Sequence, residues 1–173
     1  MYLTGGQYKG RKIEVPTNVK PTLSKVRQGV FNMLNQYEYN SFLDMFAGSG
    51  LMGLEAVSRG YSVKEIEQNP KNAAIIKKNY QNINLKADIT IIDALKYKDN
   101  SKYDVIYIDP PWDMDYEKII KKAQDLLEKN GIIVVEFDEQ RHIDIQNILD
   151  NINSPLNVVK AKKYGRCLIS LVG

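Results

Sequence analysis

One cysteine, one histidine and one tryptophan stand among the 173 residues. A lone Cys167 excludes an internal disulfide and fits a reducing compartment, so the expected location is the cytoplasm. With one His and one Cys the chain is short of zinc ligands, and no metal is expected. No apolar run approaches the roughly 20 residues that cross a bilayer. Met1–Gly6 also lacks the apolar core of a signal peptide. Repeats, low-complexity stretches and long linkers are missing as well. What is present is a chain the size of one ordinary domain, with the 43% hydrophobic and 26% charged residues of a globular protein.

The formal net charge is only +3, but it is unevenly spread. Residues 1–27 hold Lys9, Arg11, Lys12, Lys20, Lys25 and Arg27 against Glu14, a balance of +5. Residues 158–173 add Lys160, Lys162, Lys163 and Arg166 with no acid, a balance of +4. The stretch between is acidic. Two basic ends around an acidic middle suggest a polyanion gripped by the termini, although lysines also serve simply to solubilise a surface.

The first 20 residues, with glycine, proline and a β-like run from Tyr8 to Val15, read as a hairpin or irregular arm. Thr22 is placed to cap a helix reaching about Gln36. From Ser41 onward strands and helices alternate. Strands are expected at Ser41–Phe46, Tyr61–Glu67, Ala87–Ile92, Tyr103–Asp109 and Ile132–Phe137. Helices are expected at Leu51–Ser58, Pro70–Asn82, Tyr116–Lys129 and Ile143–Asn151. Val158–Lys162 and Cys167–Val172 then form an antiparallel pair. The alternation implies an α/β fold with a parallel sheet covered by helices, and the closing pair adds an antiparallel edge. Ligands of such sheets bind beyond the carboxyl ends of the strands, so those loops carry the functional reading.

The first strand ends in Asp44-Met45-Phe46-Ala47-Gly48-Ser49-Gly50-Leu51-Met52-Gly53. This is G-x-G-x-x-G between a strand and a helix, the context a nucleoside-binding loop requires, although a tight turn also needs glycine. Glu67, 19 positions after Gly48, closes the second strand and can accept both hydroxyl hydrogens of a ribose. It can equally cap the helix opened by Pro70. Asp93-Ala94 closes the third strand and offers an oxygen to an adenine amino group, or merely makes a turn. These groups suit NAD and S-adenosylmethionine alike.

The fourth strand runs into Asp109-Pro110-Pro111-Trp112. A purine amino group is a poor nucleophile because its lone pair is delocalised into the ring. Two acceptors for its N–H bonds draw the nitrogen towards tetrahedral geometry, and the Asp109 carboxylate and the Pro110 carbonyl fit that need. The fixed φ of proline sets the carbonyl in advance. Trp112 offers a stacking surface for a base turned out of its helix. The combination points to methyl transfer from S-adenosylmethionine to an exocyclic amino group, with Asp109, Pro110, Pro111 and Trp112 as the catalytic set.

These segments resemble the bacterial 16S rRNA guanine-N2 methyltransferases of the RsmD family over nearly the full length. The likeness is carried by Gly6-Gln7-Tyr8-Lys9-Gly10-Arg11-Lys12, Lys20-Pro21-Thr22, Val26-Arg27 and Phe31-Asn32-Met33-Leu34. It continues through Asp44–Gly50, Gly53-Leu54-Glu55-Ala56 with Ser58-Arg59-Gly60, Asp109-Pro110-Pro111 and Tyr164-Gly165. The resemblance implies a class I S-adenosylmethionine-dependent (Rossmann-like) fold, with a mainly parallel seven-stranded sheet and an antiparallel C-terminal edge. It implies a basic hairpin-and-helix extension over 1–36 packed on a methyltransferase domain over 37–173. Asp44, Phe46, Ala47, Gly48, Ser49, Gly50, Glu67, Asp93 and Ala94 would line the cofactor site. Lys9, Arg11, Lys12, Lys20, Arg27 and Arg166 would contact RNA. The implied substrate is one guanine N2 in 16S rRNA of an assembling 30S subunit, the expected enzyme a monomer without a membrane partner. Departures from the family pattern include Lys20 in place of Arg, Gln28 in place of an acid, Arg166 in place of Asp, and Trp112 in place of Tyr or Phe.

The same loop also suits adenine N6 or another RNA or DNA site. An NAD-dependent oxidoreductase and a catalytically silent RNA-binding module are the further alternatives. His142 reads as a surface group and Cys167 as a packing residue.

Overall fold

The computed structural model describes residues 1–173. In chain order the elements are α1 (Ser24–Leu34), β1 (Ser41–Asp44), α2 (Leu51–Ser58), β2 (Ser62–Glu67), α3 (Pro70–Gln81) and β3 (Ile89–Ile91). They continue with β4 (Tyr103–Ile108), α4 (Tyr116–Gln124), β5 (Leu127–Asp138), α5 (Ile145–Asn151), β6 (Val158–Tyr164) and β7 (Cys167–Val172). The seven strands form one sheet in the order β3-β2-β1-β4-β5-β7-β6. β1 to β5 pair in parallel, and β7 lies antiparallel to both β5 and β6, so it alone runs against the other six. The strand order reverses between β1 and β4, so their carboxyl ends flank the crevice in which ligands of open α/β sheets bind.

β4 and β5 are apolar on both sides, as central parallel strands must be. On one face Ile106, Ile108, Ile133 and Val135 pack with Ile119, Ile120 and Ala123 of α4 and Ile145 and Leu149 of α5. On the other face Phe42, Val105, Tyr107 and Val134 meet Val26, Val30, Phe31 and Leu34 of α1. Leu3 and Ile13 of the N-terminal arm are buried with Leu51 and Leu54 of α2 and Ile76 and Tyr80 of α3.

The arm folds back on itself as a short irregular hairpin, with an antiparallel bridge from Tyr2 to Lys12 and backbone hydrogen bonds between Met1 and Ile13 and from the Leu3 amide to the Arg11 carbonyl. Two local expectations are corrected. Thr22 does not cap α1: the helix starts one residue later, with Leu23 as its N-cap and no side-chain cap, and the Thr22 carbonyl accepts from the Arg27 guanidinium instead. The fourth helix stops at Gln124, not Lys129. Leu126 turns into the core there, and its carbonyl accepts from the Tyr103 amide at 2.9 Å, which commits the following residues to pairing with β4. β5 then bulges before Ile132: between two adjacent pairings β4 advances from Tyr103 to Val105 while β5 advances from Leu127 to Ile132.

Candidate active site

The strand ends open into one cavity of about 820 Å³, within the range of a bound small molecule. It is lined by Asp44, Phe46, Ala47, Gly48 and Ser49 after β1, Glu67 after β2, and Asp93 and Ala94 after β3. Asp109 to Trp112 line it after β4 and Glu136 at the end of β5. Gly50 is the one residue of the expected cofactor set outside the lining. It caps α2 with φ +70°, and a side chain there would come within 2.9 Å of Ile76. Gly53, the third glycine, sits so close to the Glu65 carboxylate that a Cβ would overlap it. These two glycines serve packing and the turn, and the first one faces the ligand space.

Glu67 fastens the glycine loop to β2. One carboxylate oxygen accepts from the Gly48 amide at 2.8 Å and the other from the Asn69 amide at 2.7 Å. Each oxygen keeps a further lone pair, and the residue lines the cavity. Asp93 accepts from the Leu95 amide at 2.9 Å and starts a short 3₁₀ turn. Asp44 is almost wholly buried and accepts from the Phe46 amide at 3.2 Å. Burial, with Glu67 and Glu136 nearby, pushes its carboxyl up to about 7.

At the end of β4 the picture differs. Neither the Asp109 carboxylate nor the Pro110 carbonyl accepts a hydrogen bond from the protein. Two adjacent acceptors, on residues that line the cavity, thus have their capacity unspent. Burial raises the Asp109 carboxyl well above the usual carboxylate range, with the charges of Glu136 and Asp44 acting the same way and Arg141 and Lys20 opposing them. Trp112 remains 63% exposed at the rim, its indole open for stacking. None of the cavity acids Asp44, Asp109 and Glu136 has a salt-bridge partner. Buried acids without a counter-ion are stabilised in their ionised form by a cationic ligand, and S-adenosylmethionine, with its sulfonium and ammonium groups, carries such charges.

Several lining residues carried no clear sequence signal. Glu136 is 9% exposed, accepts from the Tyr107 hydroxyl, and accepts from Cys167 Sγ at 3.3 Å. Cys167 is therefore a cavity residue as well as a packing one. The one acid in the Ile132–Phe137 run, at a strand's carboxyl end, was the available clue to Glu136. Arg141 reaches back from the turn after β5 to the Trp112 carbonyl at 2.7 Å and the Tyr116 hydroxyl at 2.8 Å. His142 is exposed, as its sequence context suggests.

The basic residues divide into three groups. Lys20 and Arg166 line the cavity, with Arg166 bonded to Asp138 and Gln140 at 2.9 and 2.7 Å. Lys9, Arg11 and Lys12 are exposed on the arm, away from the cavity lining. Arg27 is corrected outright, because it is fully buried and cannot meet RNA. Its Nε donates to Glu55 at 2.9 Å, and its Nη2 donates to the Tyr2 carbonyl at 2.8 Å. Glu55 also accepts from the Thr4 amide at 2.7 Å and pairs with Arg59. Ser58 donates to the Gly5 carbonyl at 2.6 Å and accepts from the Tyr8 amide at 2.9 Å. The Gly-Leu-Glu-Ala-x-Ser-Arg-Gly run is thus the dock that holds the arm.

The comparisons agree with this architecture. A family profile described as "Conserved hypothetical protein 95" matches residues 1–173. The chain is 35% identical to ribosomal RNA small subunit methyltransferase D of Buchnera aphidicola, over 83% of this chain and 81% of that one. The solved structure of yhhF from Escherichia coli aligns at a TM-score of 0.83 and 25% identity, covering 99% of this chain and 96% of that one. An S-adenosylmethionine-dependent methyltransferase from Clostridium acetobutylicum shares the fold at a TM-score of 0.73 and 12% identity, over 88% and 92% of the two chains. With a family profile spanning every residue and the cavity formed by the strand ends that carry its motifs, the chain belongs to the RsmD family of methyltransferases.

Proposed function

We propose that the protein methylates the exocyclic N2 of a guanine in 16S rRNA, acting as a monomer on an assembling 30S subunit with S-adenosylmethionine as donor. The observation that carries this reading is the free acceptor pair, the Asp109 carboxylate and the Pro110 carbonyl, beside an exposed indole. When bound, S-adenosylmethionine supplies a methyl group already activated for transfer. The residues then have to orient and neutralise. Glu67 would take the ribose hydroxyls, Asp93 and Ala94 the adenine, and Asp44 the ammonium, while Phe46 to Gly50 wall the cofactor. Asp109 and Pro110 would accept the two amino N–H bonds and turn the nitrogen lone pair towards the methyl group. Trp112 would stack on the extruded base. Lys9, Arg11 and Lys12 on the arm, with Lys20 and Arg166 at the cavity, would hold the RNA backbone. The family's ribosomal RNA relatives support the choice of rRNA.

The deciding experiment incubates the protein and cofactor with naked 16S rRNA and with 30S subunits, then maps the modified nucleoside by mass spectrometry. N2-methylguanine at one position is expected. N6-methyladenine as the sole product would overturn the guanine assignment.

A further inference from the structure

We propose that Glu136 selects the base, accepting the N1–H that guanine carries next to its 2-amino group. The inference rests on the methyltransferase reading above and assigns the discrimination between purines to one residue.

The Asp109 and Pro110 acceptors suit any aromatic amino group, so they cannot choose between guanine and adenine. The neighbouring ring atom can. Beside the 2-amino group of guanine lies N1–H, a donor. Beside the 6-amino group of adenine lies N1 with a lone pair, an acceptor. A carboxylate next to the reacting nitrogen therefore attracts one base and repels the other.

Glu136 stands in that place. β4 and β5 run parallel with Ile108 opposite Val135. The next residues, Asp109 just past the end of β4 and Glu136 still within β5, therefore sit side by side on adjacent strands, at a spacing of about 5 Å. Both line the cavity that Trp112 rims. The Tyr107 hydroxyl donates to one oxygen of Glu136 and the Cys167 thiol to the other. Both partners are donors, so the group is set up as an acceptor, and each oxygen retains a lone pair. No Lys or Arg forms an ion pair with it, although it is buried among other acids. A buried acid without a cation is costly unless something else donates to it, and guanine N1–H is such a donor. Lys20, on the wall of the same cavity, adds a donor for a carbonyl such as guanine O6, which adenine lacks.

The test uses an rRNA substrate in which the target guanine is replaced by 2-aminopurine. This base keeps the reacting 2-amino group but presents a lone pair at N1. Wild-type protein should methylate the guanine substrate about 30-fold faster than the analogue, the middle of the range of about 1–3 kcal/mol (~5- to 150-fold) by which such contacts discriminate. Glu136→Gln, whose amide can donate to N1, should bring that ratio below about 5 while its cofactor affinity stays within twofold. Glu136→Asp keeps the acceptor and should keep the preference for guanine at a lower rate, which covers the case in which the Gln variant folds poorly. An unchanged ratio in Glu136→Gln, or a ratio lost equally in Glu136→Asp, would overturn the role of Glu136 alone. If wild-type protein makes no N2-methylguanine, the guanine reading itself fails, and that result is visible before any variant is compared.

Discussion

The guanidinium of Arg141 holds the backbone of Trp112 and lies against its ring: Nη2 donates to the Trp112 carbonyl at 2.7 Å, and the guanidinium carbon is 5.5 Å from the indole centroid. The same group donates to the Tyr116 hydroxyl and lies 4.6 Å over that ring. One side chain thereby ties the turn after β5 to the loop after β4 and sets the angle of the base-stacking surface. Arg141→Met should lower turnover on RNA by about tenfold, since positioning errors of this kind are costly. Cofactor affinity should stay unchanged. Trp112 is the only tryptophan, so its fluorescence reports on this loop without interference. A red shift and lower anisotropy are expected in the variant, and an unaltered spectrum would show that Arg141 does not hold the indole.

Asp109 is the more drastic site. Asp109→Asn preserves shape but replaces an acceptor with an amide that donates as well. Removing one preorganised partner of a reacting group costs on the order of 10²–10³ in rate. Turnover should fall by about that factor while S-adenosylmethionine affinity, measured by calorimetry, stays within a few fold. Because the Asp109 carboxyl is held above its usual range by burial and by neighbouring acids, the acceptor form is lost on acidification. Wild-type turnover should therefore rise with pH, and this limb should vanish in the Asn variant. Equal pH profiles for the two proteins would assign the limb to another group.

The strand ends were legible because their chemistry is local: a glycine loop, an acid closing β2, and Asp-Pro-Pro within three residues of one another. The alternation that placed them follows from buried parallel strands and needs no tertiary information. Arg141 was not legible. Its partners lie 25 and 29 residues earlier, and no local pattern records such a contact. Glu136 stood out only as an acid in an apolar run, which reads as an imperfection until the cavity beside it is seen. Arg27 is the instructive error. A charged residue in a basic arm reads as a nucleic-acid contact, yet it shares the helical stripe of Phe31 and Leu34, and that spacing signalled burial.

Arg27 and Glu55 are both fully buried, and removing one partner leaves a charge without its counter-ion. Arg27→Met should therefore destabilise the protein by about 3 kcal/mol, the lower end for a broken buried pair because Arg59 still reaches Glu55. For a chain of this size that is a fall of roughly 10 °C in Tm. A combined Lys9→Ala, Arg11→Ala and Lys12→Ala variant should give the opposite signature. Its Tm should hold, while its RNA affinity falls and the salt dependence of binding flattens, as expected when phosphate contacts are lost. Calorimetry and filter binding on the two proteins separate the roles. A stable Arg27→Met protein with weakened RNA binding would restore the surface reading of that residue.

Asp44 makes stability and ligand affinity respond to pH in opposite directions. Burial raises its carboxyl from 3.8 to about 7, so the folded chain holds a proton that the unfolded chain has already released at mildly acidic pH. The benefit is complete below about pH 4 and is lost as pH rises through about 7. Over that window one such proton contributes a slope of up to about 1.4 kcal/mol per pH unit. Glu65, buried beside Asp44 with neither carboxylate oxygen hydrogen-bonded, is pushed well up by the same burial and adds to the trend. A cationic cofactor asks for the ionised form, so its affinity should climb across the interval in which the free protein weakens. Thermal unfolding from pH 5 to pH 8 should show Tm falling for wild type and falling less steeply for Asp44→Asn. Calorimetric titration with S-adenosylmethionine should show affinity rising with pH for wild type and nearly flat for the variant. If Asp44→Asn keeps both slopes, the proton resides elsewhere in the acidic cavity and Asp44 does not meet the cofactor's positive charge.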